Sequence, residues 1–411
     1  MPYPPDNAAA FPGDRLKNAR LRRGLTQEGL AALSGLSVGV IKKLERGGTG
    51  RLETYHAIAR ALKMRTSALL EPAGPHQTRR GDGDNIDLMP LRQAIAPPIT
   101  LTGRLGPPAD TGTEPDVDQL TATARTVATA YHHDDYGTVA ELLPPLVLSA
   151  HSTVEHFDNG PQQTDALRVR ADILQMAGRY LTQVRAYDLA HTALRDAVQD
   201  AVRVGDLGAV AGAVYQQGWL LMRQGRLDEA EQVSVTTAEA VEPRISRASR
   251  RSLGAWGKLL VHGSAAAARN NRGQEAREML RLGRTAGAAL AGGTAVAESS
   301  WGRFDWRTIA YQSVENQLVA ERPELVLRLS ERVAGSGDTV FMRRHLLDVA
   351  AAHAMMRQRD EAMAILERLR AETPEWLRHQ RMASDTFHQV QQMGGRATAR
   401  ARDLAAFFDA P

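Results

Sequence analysis

Residues 14–47, DRLKNARLRRGLTQEGLAALSGLSVGVIKKLERG, decide the fold of the amino-terminal part of this chain. An apolar period near 3.6 runs through Leu16 and Ala19, with Arg20 on the same face, restarts at Leu30, Ala31 and Leu33, and restarts again at Val40, Ile41 and Leu44. The pattern predicts three short helices. Gly24 and Gly35 fall between them, where a residue free to take positive φ ends one helix and turns the chain. Thr26 and Ser37 stand at the next N-cap positions, offering hydroxyls to the free amides of the first turn. The small Ala31 lets the second and third helices cross closely, and Leu36 can plug the corner between them. Together these features spell a helix-turn-helix.

The stretch resembles the DNA-binding domain of the phage-repressor-like (Cro/CI, xenobiotic response element) family of transcription regulators. The Thr26-Gln27 pair, Ala31, Gly35, Leu36 and the Glu45-Arg46-Gly47 ending carry the likeness, and two further helices, 52–62 and 66–70, extend it over about residues 13–71. The resemblance implies that Gln27, at a positively polarised helix N-terminus, holds a backbone phosphate, which sets register without reading bases. The third helix is expected in the major groove, with Ser37, Val38, Gly39, Lys42 and Lys43 presented to the DNA. Lys42 or Lys43 can donate to guanine O6 and N7, and Val38 can pack on a thymine methyl. Arg46 and Arg51 flank a GGTG loop and are expected at phosphate or in the minor groove. Arg20 and Glu45 match a family ion pair joining the first and third helices.

Two residues depart from the family pattern. Gly29 stands where a glutamate often completes a capping box, removing a reciprocal cap and costing ~1 kcal/mol of helix propensity. Gly39 leaves the reading helix with few side chains able to bond bases, so part of the specificity is expected from DNA shape and bound water.

Charge is distributed to match. Residues 1–72 hold twelve Lys or Arg against six Asp or Glu, a net of +6, whereas the whole chain is +4, so the remainder is −2. The basic character is local to the motif that needs it.

The 411 residues are enough for two or three domains, and the chain has no cysteine. Disulfides and thiolate metal sites are excluded, which suits a reducing cytoplasm. The first twelve residues lack the pattern of a signal peptide and read as a flexible arm, and no apolar run approaches a membrane span. After the head (13–72), Pro, Gly and charge mark residues 73–116 as a linker, interrupted by the apolar island IDLMPLRQAI, whose length suits a turn or two docked on a neighbour.

From Val117 to residue 411 the pattern is helix after helix, with breaks expected at Gly160, Gly178, Gly205, Gly225, Pro243, Gly273, Gly292, Pro323, Gly335, Pro374 and Gly394. GWLLMRQGRLDEAEQ resembles a tetratricopeptide repeat, with echoes centred on Ala190, Ala230, Ala276, Val326 and Ala362. Their spacings of 40, 46, 50 and 36 depart from a steady period, so the helices are expected to be longer than the consensus. The order of head, linker and array is similar to actinobacterial-type regulators with a tetratricopeptide domain and, in layout, to peptide-sensing Gram-positive regulators. The expected fold is thus all-α: a five-helix head, a linker and a tetratricopeptide-like α-solenoid.

A stacked helical array has a concave face suited to extended peptides or small molecules. The segment holding Trp301, Arg303, Phe304, Trp306, Arg307, Tyr311, Gln312 and Asn316 concentrates aromatic and polar residues and is the candidate effector lining, its arginines suited to a carboxylate. Trp219 and Trp256 read as core. The adjacent His132, His133, Asp134 and Asp135 point in different directions on a helix, and His345 with His353, or His379 with His388, lack the i, i+4 spacing of a metal pair, so no metal or cofactor is expected. There is no Walker loop, HExxH or nucleophile elbow, and no enzymatic role is expected. The sequence as a whole points to a cytoplasmic, homodimeric regulator that binds an operator in duplex DNA and senses a small-molecule or peptide effector. The rival reading is a DNA-tethered scaffold that recruits a protein partner.

Overall fold

The structure, a computed structural model, describes residues 12–48, 50–64, 69, 88–98, 115–290, 304–333, 340–394 and 399–409. It is all-helical: among the described residues there is no strand. Four helices form the head: α1 (Pro12–Arg22), α2 (Gln27–Ser34), α3 (Val38–Glu45) and α4 (Leu52–Ala61). They close around Leu16, Leu30, Ala31, Ile41, Leu44, Ile58 and Leu62, all buried, with Leu36 packed against the same core. Of the helix expected at 66–70 only Leu69 is described, and it is buried in this core. Of the arm expected at 1–12, residues 1–11 lie outside the described residues and Pro12 opens α1.

The caps read from the sequence are present. Thr26 Oγ1 accepts from the Gly29 amide at 2.9 Å, and Ser37 Oγ from the Val40 amide at 3.4 Å. Gly35 takes φ 70° and lets the Leu36 amide donate back to the Ala31 carbonyl at 3.1 Å, a Schellman closure that ends α2.

Within the apolar island, α5 (Met89–Ile95) buries Leu91, Ala94 and Ile95 in the first core cluster of the array. Six helical hairpins follow: α6 (Val117–His132) with α7 (Tyr136–His156), α8 (Gln163–Gln183) with α9 (Tyr187–Val204), α10 (Leu207–Arg223) with α11 (Leu227–Ala240), α12 (Arg250–Arg269) with α13 (Gly273–Leu290), α14 (Trp306–Val319) with α15 (Pro323–Ser330), and α16 (Val340–Met355) with α17 (Arg359–Glu372). The helices α18 (Pro374–Arg378), α19 (Arg381–Gln392) and α20 (Ala399–Asp409) complete the array, and Leu404 of α20 packs with Phe387 of α19. The first helices of successive hairpins also pack on one another, α8 on α10, α10 on α12, α12 on α14 and α14 on α16, as in a solenoid, and Asp134 in the first turn reaches Arg343 of the sixth hairpin.

One turn is repeated in all six hairpins. Asp134, Arg185, Gly225, Asn271, Glu321 and Arg357 each adopt a left-handed φ between 59° and 74°. In every case the next residue's amide donates back to the carbonyl five residues earlier, at 2.8–3.0 Å. The residue five positions after each turn, Val139, Ala190, Ala230, Ala276, Val326 or Ala362, is buried against the preceding helix. The uneven spacings seen in the sequence are therefore a constant turn joined to helices of varying length.

Three features differ from the sequence expectation. Gly178 is no break: it lies inside α8, where a Cβ would sit 2.4 Å from Leu194 Cγ, so it is small because α9 crosses there. Gly273 opens α13 rather than ending a helix, the turn before it being made by Asn271. Five of the six repeated turns use no glycine, which a search for breakers cannot register. A glycine turn does lie at Gly205, between hairpins, with φ 73°.

Candidate nucleic-acid interface

The second and third helices of the head are fixed to the first by one buried polar knot. Arg20 on α1 donates to Glu45 on α3 through two nitrogens, at 2.6 and 3.0 Å, and a third nitrogen donates to the Leu25 carbonyl at 2.8 Å. Gln27 at the start of α2 donates at 2.7 Å to Glu45 Oε2, the oxygen that Arg20 Nη2 also bonds. Burial works against ionisation of Glu45, but the bonds from Arg20 and Gln27 outweigh it and hold its carboxyl below the usual range. The bond to Glu45 raises Arg20 in turn. Such a charged pair, satisfied on both sides, sets the angle of α3.

What α3 presents outward is the set expected from the sequence. Ser37, Gly39, Lys42, Lys43 and Arg46 are exposed and Val38 is half-buried, while Ile41 and Leu44 fill the core from the opposite face. Gly39 has only Ser37 Oγ near the place of a Cβ. Gln27, expected at a backbone phosphate, is half-buried with its amide nitrogen donating to Glu45.

Arg51 is placed elsewhere. Expected at phosphate or minor groove, its guanidinium instead donates to the Leu318 carbonyl at the end of α14 at 2.7 Å, abuts Met355 Sδ and lies 3.8 Å from Glu321. The head is thus not merely tethered; it rests on the array.

The candidate effector residues are not gathered into one lining. Trp301 and Arg303 lie outside the described residues. Phe304 is core: its ring fills the space beside Gly257 of α12, where a Cβ would come within 2.2 Å. Asn316 is buried and bonded to Ser264 Oγ at 2.9 Å and to Gln312 at 2.9 Å. Arg307 turns back to Asp305 and the exposed Trp306. Tyr311 faces α16, its ring 4.8 Å from that of His345 and its hydroxyl on Met342 Sδ. Trp256 is buried as expected, and Trp219 half-buried. Asp134 pairs with Arg343, and the described residues hold no cluster able to bind a metal.

A different row, unmarked in the sequence, runs along the first helices. Arg179 of α8 lies 4.5 Å over the Tyr131 ring of α6. Tyr215 of α10 stacks on His262 of α12 at 3.9 Å, and the fully buried Lys258 of α12 lies 5.1 Å over Tyr215 and 5.8 Å from the Phe341 ring of α16. Burial, reinforced by Arg179, pushes Lys258 well below its usual range, and burial with Lys258 nearby takes His262 down to about 3. These six residues come from five helices, only Lys258 and His262 sharing one, so no local period reveals the row.

Residues 16–69 match the helix-turn-helix family model, which supports a head of the Cro/CI (XRE) type. No curated protein and no solved structure matches the chain. Fold, exposed reading helix and family match together define the class: a DNA-binding regulator. No described helix is long and apolar enough to cross a membrane.

Proposed function

We propose that this chain is a sequence-specific transcription regulator that binds its operator as a homodimer in the cytoplasm, without enzymatic activity, and whose array senses an effector. The observation that carries the reading is the exposed row Ser37, Val38, Gly39, Lys42, Lys43 and Arg46 on a helix held in place by the Arg20–Glu45–Gln27 knot. An α3 so presented fits a major groove, and the lysines supply both phosphate attraction and donors to guanine.

The repeated turn and the buried small residue five positions on support a tetratricopeptide-like array. The effector part of the reading rests on the inner face that such an array offers to a peptide or small molecule. The scaffold reading, in which the array recruits a protein partner, keeps the same head and predicts operator affinity indifferent to small molecules.

Selection of operators from random duplex DNA tests the head. Lys43→Ala is expected to relax base preference at a defined position, by ~1–3 kcal/mol of discrimination. Gln27→Ala is expected to weaken all sequences alike. Unchanged selected motifs with Lys43→Ala would count against the placement of α3.

A further inference from the structure

The repeated turns give the array an edge with a particular chemistry. Three consecutive first helices, α12, α14 and α16, end there, at Arg269, Val319 and Met355, just before the turn residues Asn271, Glu321 and Arg357. A helix C-terminus carries carbonyls without intrahelical partners and a partial negative charge. An edge of three such ends attracts cations, as a phosphate backbone does.

The head meets this edge with cations. Arg51 Nη1 donates to the Leu318 carbonyl at 2.7 Å, its other nitrogen abuts Met355 Sδ, and Glu321 lies 3.8 Å away. Nine residues on, Arg60 of α4 donates to the Asn270 carbonyl at 2.5 Å. Between them the half-buried His56 faces the same Asn270, whose amide is anchored to Asp228 at 2.6 Å. Both arginines act as caps on helices that belong to another domain. Lys42, Lys43 and Arg46 remain exposed in the same arrangement.

We infer that this edge is a docking surface for the DNA-binding head, and that its Leu318 carbonyl takes, against Arg51, the place of a DNA phosphate. One guanidinium cannot bond the Leu318 carbonyl, 267 residues away in the chain, and a DNA phosphate at once. Docked, the head approaches DNA one phosphate contact short. Undocked, it regains that contact and its freedom of orientation. Any event that shifts how α12, α14 and α16 end relative to one another changes the fit of both arginines together, which couples the array to the head through a differential between two states. The inference rests on the DNA-binding reading above and names how that site is governed.

The test uses the full chain and a generic duplex of mixed sequence, so no operator is needed. Binding is titrated against salt in wild type, in Glu321→Lys and Met355→Lys, which set a cation against Arg51 from the array side, and in each combined with Arg51→Ala. Each phosphate contact adds about 0.9 to the slope of log affinity against log salt. The array-side variants are expected to steepen the slope by about that amount, so that their affinity falls roughly 3-fold further than that of wild type between about 50 and 200 mM salt. Combined with Arg51→Ala, the added slope should vanish. Hydrogen exchange of α4 is expected to quicken in the same variants while the array stays protected. An identical slope change with and without Arg51 would assign the gain to the new lysine and overturn the inference, as would unchanged exchange in α4 for both variants. Glu321 is exposed, so its variant reads out even where Met355→Lys disturbs packing. Absence of any duplex binding by wild type would instead refute the DNA-binding reading itself.

Discussion

Glu45→Ala removes the acceptor on which three segments of the head converge. The Arg20 and Glu45 side chains are 8% and 5% exposed, and Glu45 accepts from both Arg20 and Gln27. Without the carboxylate the guanidinium stays buried, keeping only the Leu25 carbonyl. Breaking a buried pair from one side costs ~3–5 kcal/mol, and the surviving bond argues for the lower end, about 3 kcal/mol. Against a total of ~5–15 kcal/mol for a domain, that is a large share. It corresponds to a roughly 150-fold rise in the open population of the head.

The assay must see the head alone. All five tryptophans lie at or beyond position 219, so their fluorescence reports the array, whereas amide exchange in peptides covering 12–64 reports the head. Glu45→Ala is expected to quicken exchange there by about two orders of magnitude with the tryptophan signal unmoved. Acid should mimic the mutation. Glu45 has its pKa lowered in the folded head, so its contribution is complete above the ordinary value near 4.5 and is lost as pH falls through the folded value. Glu45→Gln should flatten that acid-side loss. Exchange slowed less than threefold by restoring Glu45, with no acid dependence, would refute the view that this knot sets α3.

Two further predictions concern the array. Arg357 is exposed and holds φ 62°, a conformation that costs an L-residue ~1 kcal/mol, so Arg357→Gly is expected to raise the unfolding midpoint by that equivalent in urea titrations followed by tryptophan fluorescence. Gly178→Ala places a methyl 2.4 Å from Leu194 Cγ and should destabilise the α8–α9 hairpin by ~1–3 kcal/mol; a neutral outcome would show that Leu194 has room to move.

The head was nearly all legible in advance because its signals are local. Gly35 at positive φ, Thr26 and Ser37 as caps, and Ile41 and Leu44 against Lys42 and Lys43 each report on a span of four or five residues. The array was legible in kind but not in its punctuation. Asn271, Glu321 and Arg357 take the left-handed turn because the hairpin geometry imposes it, whereas Gly178 serves a crossing partner sixteen residues away. Phe304 shared an aromatic-rich segment with the candidate lining, yet its ring is claimed by Gly257 in the core.

By itself the sequence determined the helices, their caps and the face that α3 turns outward, since these depend on residues within one or two turns of each other. Only the tertiary structure decided which side chains from separate helices share a space: the row from Tyr131 to Phe341, and the seat of Arg51 on the end of α14. Burial and charge pairing at such distances depend on how the hairpins stack, and no local period records that.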